Sequence, residues 1–181
     1  MIRAFILGLL VLSPVALATT VLRADVPSLT LHSDDIVRGR VLTLQSHWTG
    51  DKLRIVTDVT VQVEETLKGR PAKTVTIRQP GGIVGDVGQK VSGLAAFKPG
   101  EEVVVFLERR GPVHVVTGLA QGKFHLDRLK DGSVRATPDG TADTLVLDPR
   151  SHAALSPART PLSLERLKAE IAAARPASSP R

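Results

Sequence analysis

The chain has 181 residues, 42% of them hydrophobic, 23% charged and 3% aromatic, with 24 Lys and Arg against 18 Asp and Glu for a net charge of +6. This length and apolar content support one domain that folds without covalent staples. The lack of any cysteine excludes a disulfide scaffold, a thiolate zinc site, a cysteine nucleophile and a lipid on an amino-terminal cysteine.

In chain order, residues 1–18 read as a signal peptide. Arg3 is followed by an uncharged run from Ala4 to Leu12, then Ser13-Pro14 and the small-residue pattern Ala16-Leu17-Ala18, so cleavage is expected after Ala18. The rival reading is a membrane anchor, because no charge lies between Arg3 and Arg23 and a span needs about 20 apolar residues. Ser13, Pro14, Thr19 and Thr20 weigh against it. The expectation is an exported protein, periplasmic or secreted, with no stable membrane insertion after cleavage and a lead segment over residues 19–33.

Residues 34–150 are patterned with period two. Ile55, Thr57, Val59, Val61 and Val63 alternate with Val56, Asp58, Thr60, Gln62 and Glu64, which puts one strand face in a core and one in water. This strand stops at Leu67-Lys68-Gly69. Further strands are predicted at Ile36–Leu44, Thr74–Gln79, Val103–Leu107, Val113–Thr117 and Lys123–Leu126, with weaker ones at Ser133–Ala136 and Thr144–Leu147. Val103 to Leu107 is apolar throughout, so it should be covered on both sides. Gly39 inside the first strand marks a bulge or tight bend. The fold class expected is all-β: a small antiparallel barrel, because closure removes exposed edges, with helix confined to the tail.

Pro80 to Gly100 holds six glycines and two prolines in 21 residues and is predicted to be a loop, either functional or mobile. It lacks the Gly-Lys-Ser/Thr of a phosphate loop and the flanking strand and helix of a dinucleotide fingerprint. After the domain comes a linker at 151–162, then a helix over 163–175 with Leu164, Leu167 and Ile171 at helical spacing and Ser163 as N-cap. Packing on the domain is its simpler role and partner binding its functional one. Residues 176–181 read as a disordered tail.

The order of the strand segments resembles the netrin-like domain, the OB-fold barrel of tissue inhibitors of metalloproteinases. Asp34-Asp35-Ile36-Val37-Arg38-Gly39-Arg40-Val41 resembles that family's first strand, and Val59 to Gly69 its long second strand and turn. Val75-Thr76-Ile77-Arg78-Gln79-Pro80 is similar to the next strand and the Pro-containing loop after it. Gly100-Glu101-Glu102 leading into Val103–Leu107, and Gly118-Leu119-Ala120-Gln121-Gly122-Lys123-Phe124, resemble the later strands. Residues 34–127 are covered, and the first-strand phrase and the run from Gly118 to Phe124 also resemble those of a recurring type of exported bacterial protein. The resemblance implies an OB-like barrel and a partner-binding edge at Pro80, Gly81, Gly82 and Ile83, continued here into Val84 and Gly85. It does not carry the inhibitors' mechanism, in which an amino-terminal cysteine meets the protease zinc, because that cysteine is missing.

No enzyme constellation is legible and no cofactor is implied. His32, His47, His114, His125 and His152 include no pair at three- or four-residue spacing, so no local metal site is expected, and no Gly-x-Ser-x-Gly elbow exists. His47-Trp48 is a candidate contact pair, its plainer reading being a Trp that closes one end of the barrel beside a surface His. Asp34-Asp35 and Glu64-Glu65 read as solvated surface, since neighbours on a strand face opposite ways. Asp131-Gly132 and Asp139-Gly140 are hairpin signals. The basic charge invites a nucleic-acid partner, but beyond the leader only Trp48, Phe97, Phe106 and Phe124 are aromatic, a poor set of stacking platforms. Residues 25–155 carry 17 Lys and Arg against 16 Asp and Glu, so the domain is nearly neutral, with a basic segment at 68–98 around the Gly-rich stretch. The function expected is a non-enzymatic module that binds an extracytoplasmic protein, with proteases as a partner class. The alternative is a carrier holding a small apolar ligand inside the barrel.

Overall fold

The computed structural model describes residues 19–140, 144–156 and 159–175. The predicted signal peptide (1–18) and tail (176–181) lie outside the described residues. In order come strand β1 (Thr19–Leu22), helix α1 (Val26–His32), β2 (Asp35–Trp48), β3 (Ile55–Lys68), β4 (Thr74–Pro80), β5 (Gly82–Val84), β6 (Val87–Gln89), β7 (Glu102–Arg110) and β8 (Val113–Val116). A 3-10 turn at Leu119–Gly122 leads to β9 (Lys123–Arg128), β10 (Val134–Pro138), β11 (Thr144–Leu147), β12 (Ala154–Leu155), β13 (Leu162–Ser163) and helix α2 (Leu164–Ala174).

The alternation of β3 is realised as burial. Ile55, Val59 and Val61 are inside while Gln62 and Glu64 are exposed, and β2 runs antiparallel beside it with Val41 opposite Val61 and Leu44 opposite Val59. The β2–β3 register slips between Arg38 and Gly39 and again between Val41 and Thr43. Gly39 is obligatory there, because a Cβ would collide with the Gln62 carbonyl oxygen. The pairings β2–β3–β4–β8–β7 lead back to β2, forming a ring in the sheet whose seam is one parallel pair, Ile77 with His114. From β7 an outer arm continues through β9 and β10 to β13. A separate sheet joins β1, β11 and β12.

Two apolar clusters share β7, which explains why Val103 to Leu107 are all fully buried. Val103, Val105 and Leu107 face inside the ring with Val37, Val59, Val75 and Ile77. Val104 and Phe106 face outward onto Val26 and Leu29 of α1 and Leu164, Leu167 and Ile171 of α2. The tail helix therefore packs its stripe on the domain, entered by Ser163, whose hydroxyl accepts from Arg166 N at 3.2 Å.

Several expectations are corrected. Helix is not confined to the tail: Asp25 caps α1 by accepting from Ser28 N at 2.8 Å, with Pro27 suited to a first turn. Seven residues are too few to display a helical period. Within 80–100, β5 and β6 form a hairpin, with Ile83 opposite Gly88. Residues 151–162, expected as a linker, contribute β12, which pairs with β11, and the start of β13, which pairs with β10. Asp131-Gly132 does turn the β9–β10 hairpin, whereas Asp139-Gly140 does not, because β11 pairs with β1 and β12 instead of β10.

Of the acidic doublets expected at the solvated surface, Asp34 and Glu64 are exposed, whereas Asp35 is not. Asp35 is fully buried. It accepts both Nε and Nη2 of Arg109 at 2.7 Å, Arg70 N at 3.0 Å and His114 Nε2 at 3.2 Å. Burial pushes its carboxyl up, but the Arg109 and His114 hydrogen bonds and the Arg109 charge together hold it below its ordinary value. Glu64 and Glu65 both reach the Arg38 guanidinium, at 3.9 and 3.7 Å, next to the register slip. Glu65 also holds Lys168 of α2 at 2.8 Å.

Candidate functional site

One end of the ring carries the residues singled out above. Gly81 N donates to Ile55 O at 2.8 Å, Thr57 Oγ1 donates to Gly81 O at 2.7 Å, and Ile55 N donates to the Gln89 side chain at 2.9 Å. These bonds fold the β5–β6 hairpin back over the start of β3. Gly82 then lies on the Ser46 and Thr57 hydroxyls, which bond each other at 2.8 Å. A Cβ on Gly82 would collide with both oxygens, and its φ of +136° is one that side-chain-bearing residues avoid. Gly82→Ala is expected to dislodge the hairpin at a cost of roughly 1–3 kcal/mol, read as a lower Tm and faster hydrogen exchange at Gly88 and Gln89.

The fold leaves a cleft of about 540 Å³ between this hairpin, the β3–β4 wall and residues 91–97. Pro80, Gly81, Gly82 and Ile83 line it, with Leu44, Val91, Leu94 and Phe97 making it largely apolar. Val84 pairs with Val87, and Gly85 takes the hairpin turn at φ +59°. The rim is apolar and exposed: Ile83 is 72% accessible, and Val87, Val91, Leu44 and Trp48 are also accessible.

His47 and Trp48 are neighbours in sequence but part in space. The period of two puts Leu44, Ser46 and Trp48 on the face that meets the hairpin, and Gln45 and His47 on the other. Trp48 does not close the end of the ring by burial, since it is 38% exposed; the hairpin takes that place. His47 Nε2 lies 3.1 Å from Asp58, whose carboxylate also accepts Arg78 Nε and Nη2 at 2.7 Å. The Arg78 hydrogen bonds, assisted by His47, hold the Asp58 carboxyl low against the opposing effect of burial. The Trp48 carbonyl and then Asp58 raise the His47 pKa.

A second polar constellation had no signal in the sequence. Lys123 is buried against Glu101 and Asp139, and His125 touches Glu101 with one nitrogen and Asp127 with the other. Those last carboxylates sit on opposite sides of the imidazole and do not converge. Among the described residues, no group of three His, Asp or Glu side chains is arranged to hold a metal ion. No helix among them is long and apolar enough to cross a membrane. No known protein-family model matches the chain, and no curated protein matches it.

Proposed function

We propose that the chain is an exported, non-enzymatic protein-binding module, and that an extracytoplasmic protein docks on the end of the ring formed by Trp48, the Gly82–Gln89 hairpin and the adjoining cleft. The observation that carries this reading is the coincidence of apolar exposure with an open strand edge. Beyond Val41, whose N–H and C=O still bond Glu101 O and Gly100 N, β2 through Trp48 has β3 as its strand partner on one side and none on the other among the described residues. Such an edge is a template for an incoming strand. Beside it stand Ile83 and Trp48, side chains of the kind that anchor interfaces.

An OB-like, netrin-like barrel is the fold type this reading adopts. In its support, five strands pair in a ring with a single parallel seam between β4 and β8. Nucleic acid fits poorly, because Phe106 and Phe124 are fully buried and Phe97 nearly so, leaving Trp48 as the exposed ring among the described aromatics. The carrier alternative has no room inside the ring, which Val37, Val59, Val61, Ile77, Val103 and Val105 fill. A small apolar ligand would have to occupy the rim cleft, where native mass spectrometry of protein from its own source would detect it.

The test is a photo-crosslinking residue placed at Ile83, at Trp48, and at Leu31 on α1, which is 59% exposed on another part of the surface. In the native envelope or secreted fraction, positions 83 and 48 should capture one common protein that position 31 does not. The same captured set from all three positions would sink the proposal. Once the partner is in hand, Trp48→Ala with Ile83→Ser should weaken its binding by at least about tenfold with little change in Tm, because both side chains are exposed.

A further inference from the structure

Lys123 is the first residue of β9, and only 2% of its side chain is exposed. Its Nζ lies 3.0 Å from Glu101 Oε1 and 3.8 Å from Asp139 Oδ2, donates to the Ala96 carbonyl, and stands 4.8 Å from the centroid of the Phe97 ring. Glu101 is itself 91% covered, its side chain being 9% exposed. The three charged residues come from adjacent strands: Glu101 just precedes β7, Asp139 just follows β10, and β9 pairs with both, Lys123 opposite Val105 and Phe124 opposite Pro138. An amine and a carboxyl are thus held in contact, out of water, with a second carboxyl beside them.

We propose that Lys123 and Glu101 condense into an intramolecular isopeptide bond, with Asp139 carrying the proton. In the condensation one proton of the Lys123 ammonium passes directly to the Glu101 carboxyl, which Nζ touches at 3.0 Å, and a second leaves nitrogen through Asp139. The Nζ lone pair attacks Cδ of Glu101. Lys98 N donates to Oε1 at 2.8 Å, where it supports charge developing on the oxygen that remains as the amide carbonyl. His125 Nδ1, 3.2 Å from Oε2, fixes the orientation of the oxygen that leaves. One C–N bond forms and one C–O bond breaks. Asp139 takes the surplus proton from nitrogen and delivers one to the departing hydroxyl, so one water leaves and no oxidant or reductant is needed. Burial holds the Asp139 carboxyl above its ordinary value, against the pull of the Lys123 charge and the Ala96 N–H at 2.7 Å, which suits a proton carrier. In the amide, the remaining N–H can still donate to Ala96 O.

The cross-link would join β7 to β9 across the segment holding β8 and constrain the unfolded chain as a disulfide does, in a protein with no cysteine. The experiment is intact mass spectrometry of the full chain under denaturing conditions, referred to the N-terminus actually found, with peptide mapping. Wild type is expected to be lighter by the mass of one water and to yield a branched peptide joining the Glu101 and Lys123 segments. Lys123→Arg and Glu101→Ala should show the full sequence mass, and Asp139→Asn should form the bond much more slowly after purification. Wild-type protein that is folded by circular dichroism yet keeps the full sequence mass after prolonged incubation at neutral pH would overturn the proposal. So would a lost water that persists in Glu101→Ala or maps elsewhere. Bond formation in Asp139→Asn at the wild-type rate would refute the proton-carrier role.

Discussion

Asp35→Ala is expected to lower the unfolding free energy by about 3 kcal/mol, near the low end for breaking a buried ion pair, measured by urea titration. Asp35 is fully buried at the head of β2, where one carboxylate serves three elements. It accepts the Arg109 guanidinium from β7, His114 from β8 and the Arg70 N–H from the turn after β3. Without it, those donors lose their common acceptor. The low end applies because the Arg109 side chain is 51% exposed and can rehydrate. Arg109→Ala should cost less, and the double variant little more than Asp35→Ala alone, because both act on one network.

The same network fixes a pH dependence. The folded-state pKa of Asp35 lies below its ordinary value, so the folded state releases this proton more readily than the unfolded chain. Its contribution is therefore fully present above the unfolded carboxyl pKa of about 3.9 and is lost as the pH falls through the lower folded value. The stability difference between wild type and Asp35→Ala should therefore shrink as the pH falls below about 4. A difference that failed to shrink there would contradict the charge-pairing account.

What could be read from the sequence was what neighbouring residues decide. The alternation from Ile55 to Glu64, the unbroken apolar run from Val103 to Leu107, the glycine at position 39 and the Ser163 cap each state their requirement within a few positions. Asp35 shows the opposite case. Its partners Arg109 and His114 lie 74 and 79 residues away, and an acidic doublet looks the same in sequence whether water or an arginine faces it. The cluster at Lys123 was hidden for the same reason, since β9 had to be placed between β7 and β10 before a lysine could meet two carboxylates. At the rim, glycine enrichment pointed to a loop, whereas residues 82–89 form a hairpin. Gly82 is required there because the backbone must lie against two hydroxyls.

Phe106→Ala is expected to cost about 3–5 kcal/mol and, more specifically, to loosen the tail helix. Phe106 is fully buried on the outward face of β7, opposite Ile36 across β2, with its ring centroid 5.9 Å from that of Phe124. The same cluster receives Leu29 from α1 and Leu167 and Ile171 from α2. An eleven-residue helix is marginal alone, so α2 holds its conformation because this apolar surface accepts it. Removing the ring leaves a void that rigid strands on one side cannot close, and the nearest movable element is the helix. Amide exchange over residues 164–174 should accelerate more than exchange in β4 or around Val59 and Val61 of β3, whose buried side chains belong to the cluster inside the ring. Leu167→Ala, a deletion on the helix side of the same contact, should produce the same regional pattern at about 2–5 kcal/mol. Equal acceleration throughout the molecule would show instead that the two clusters unfold as one unit through β7, the strand they share.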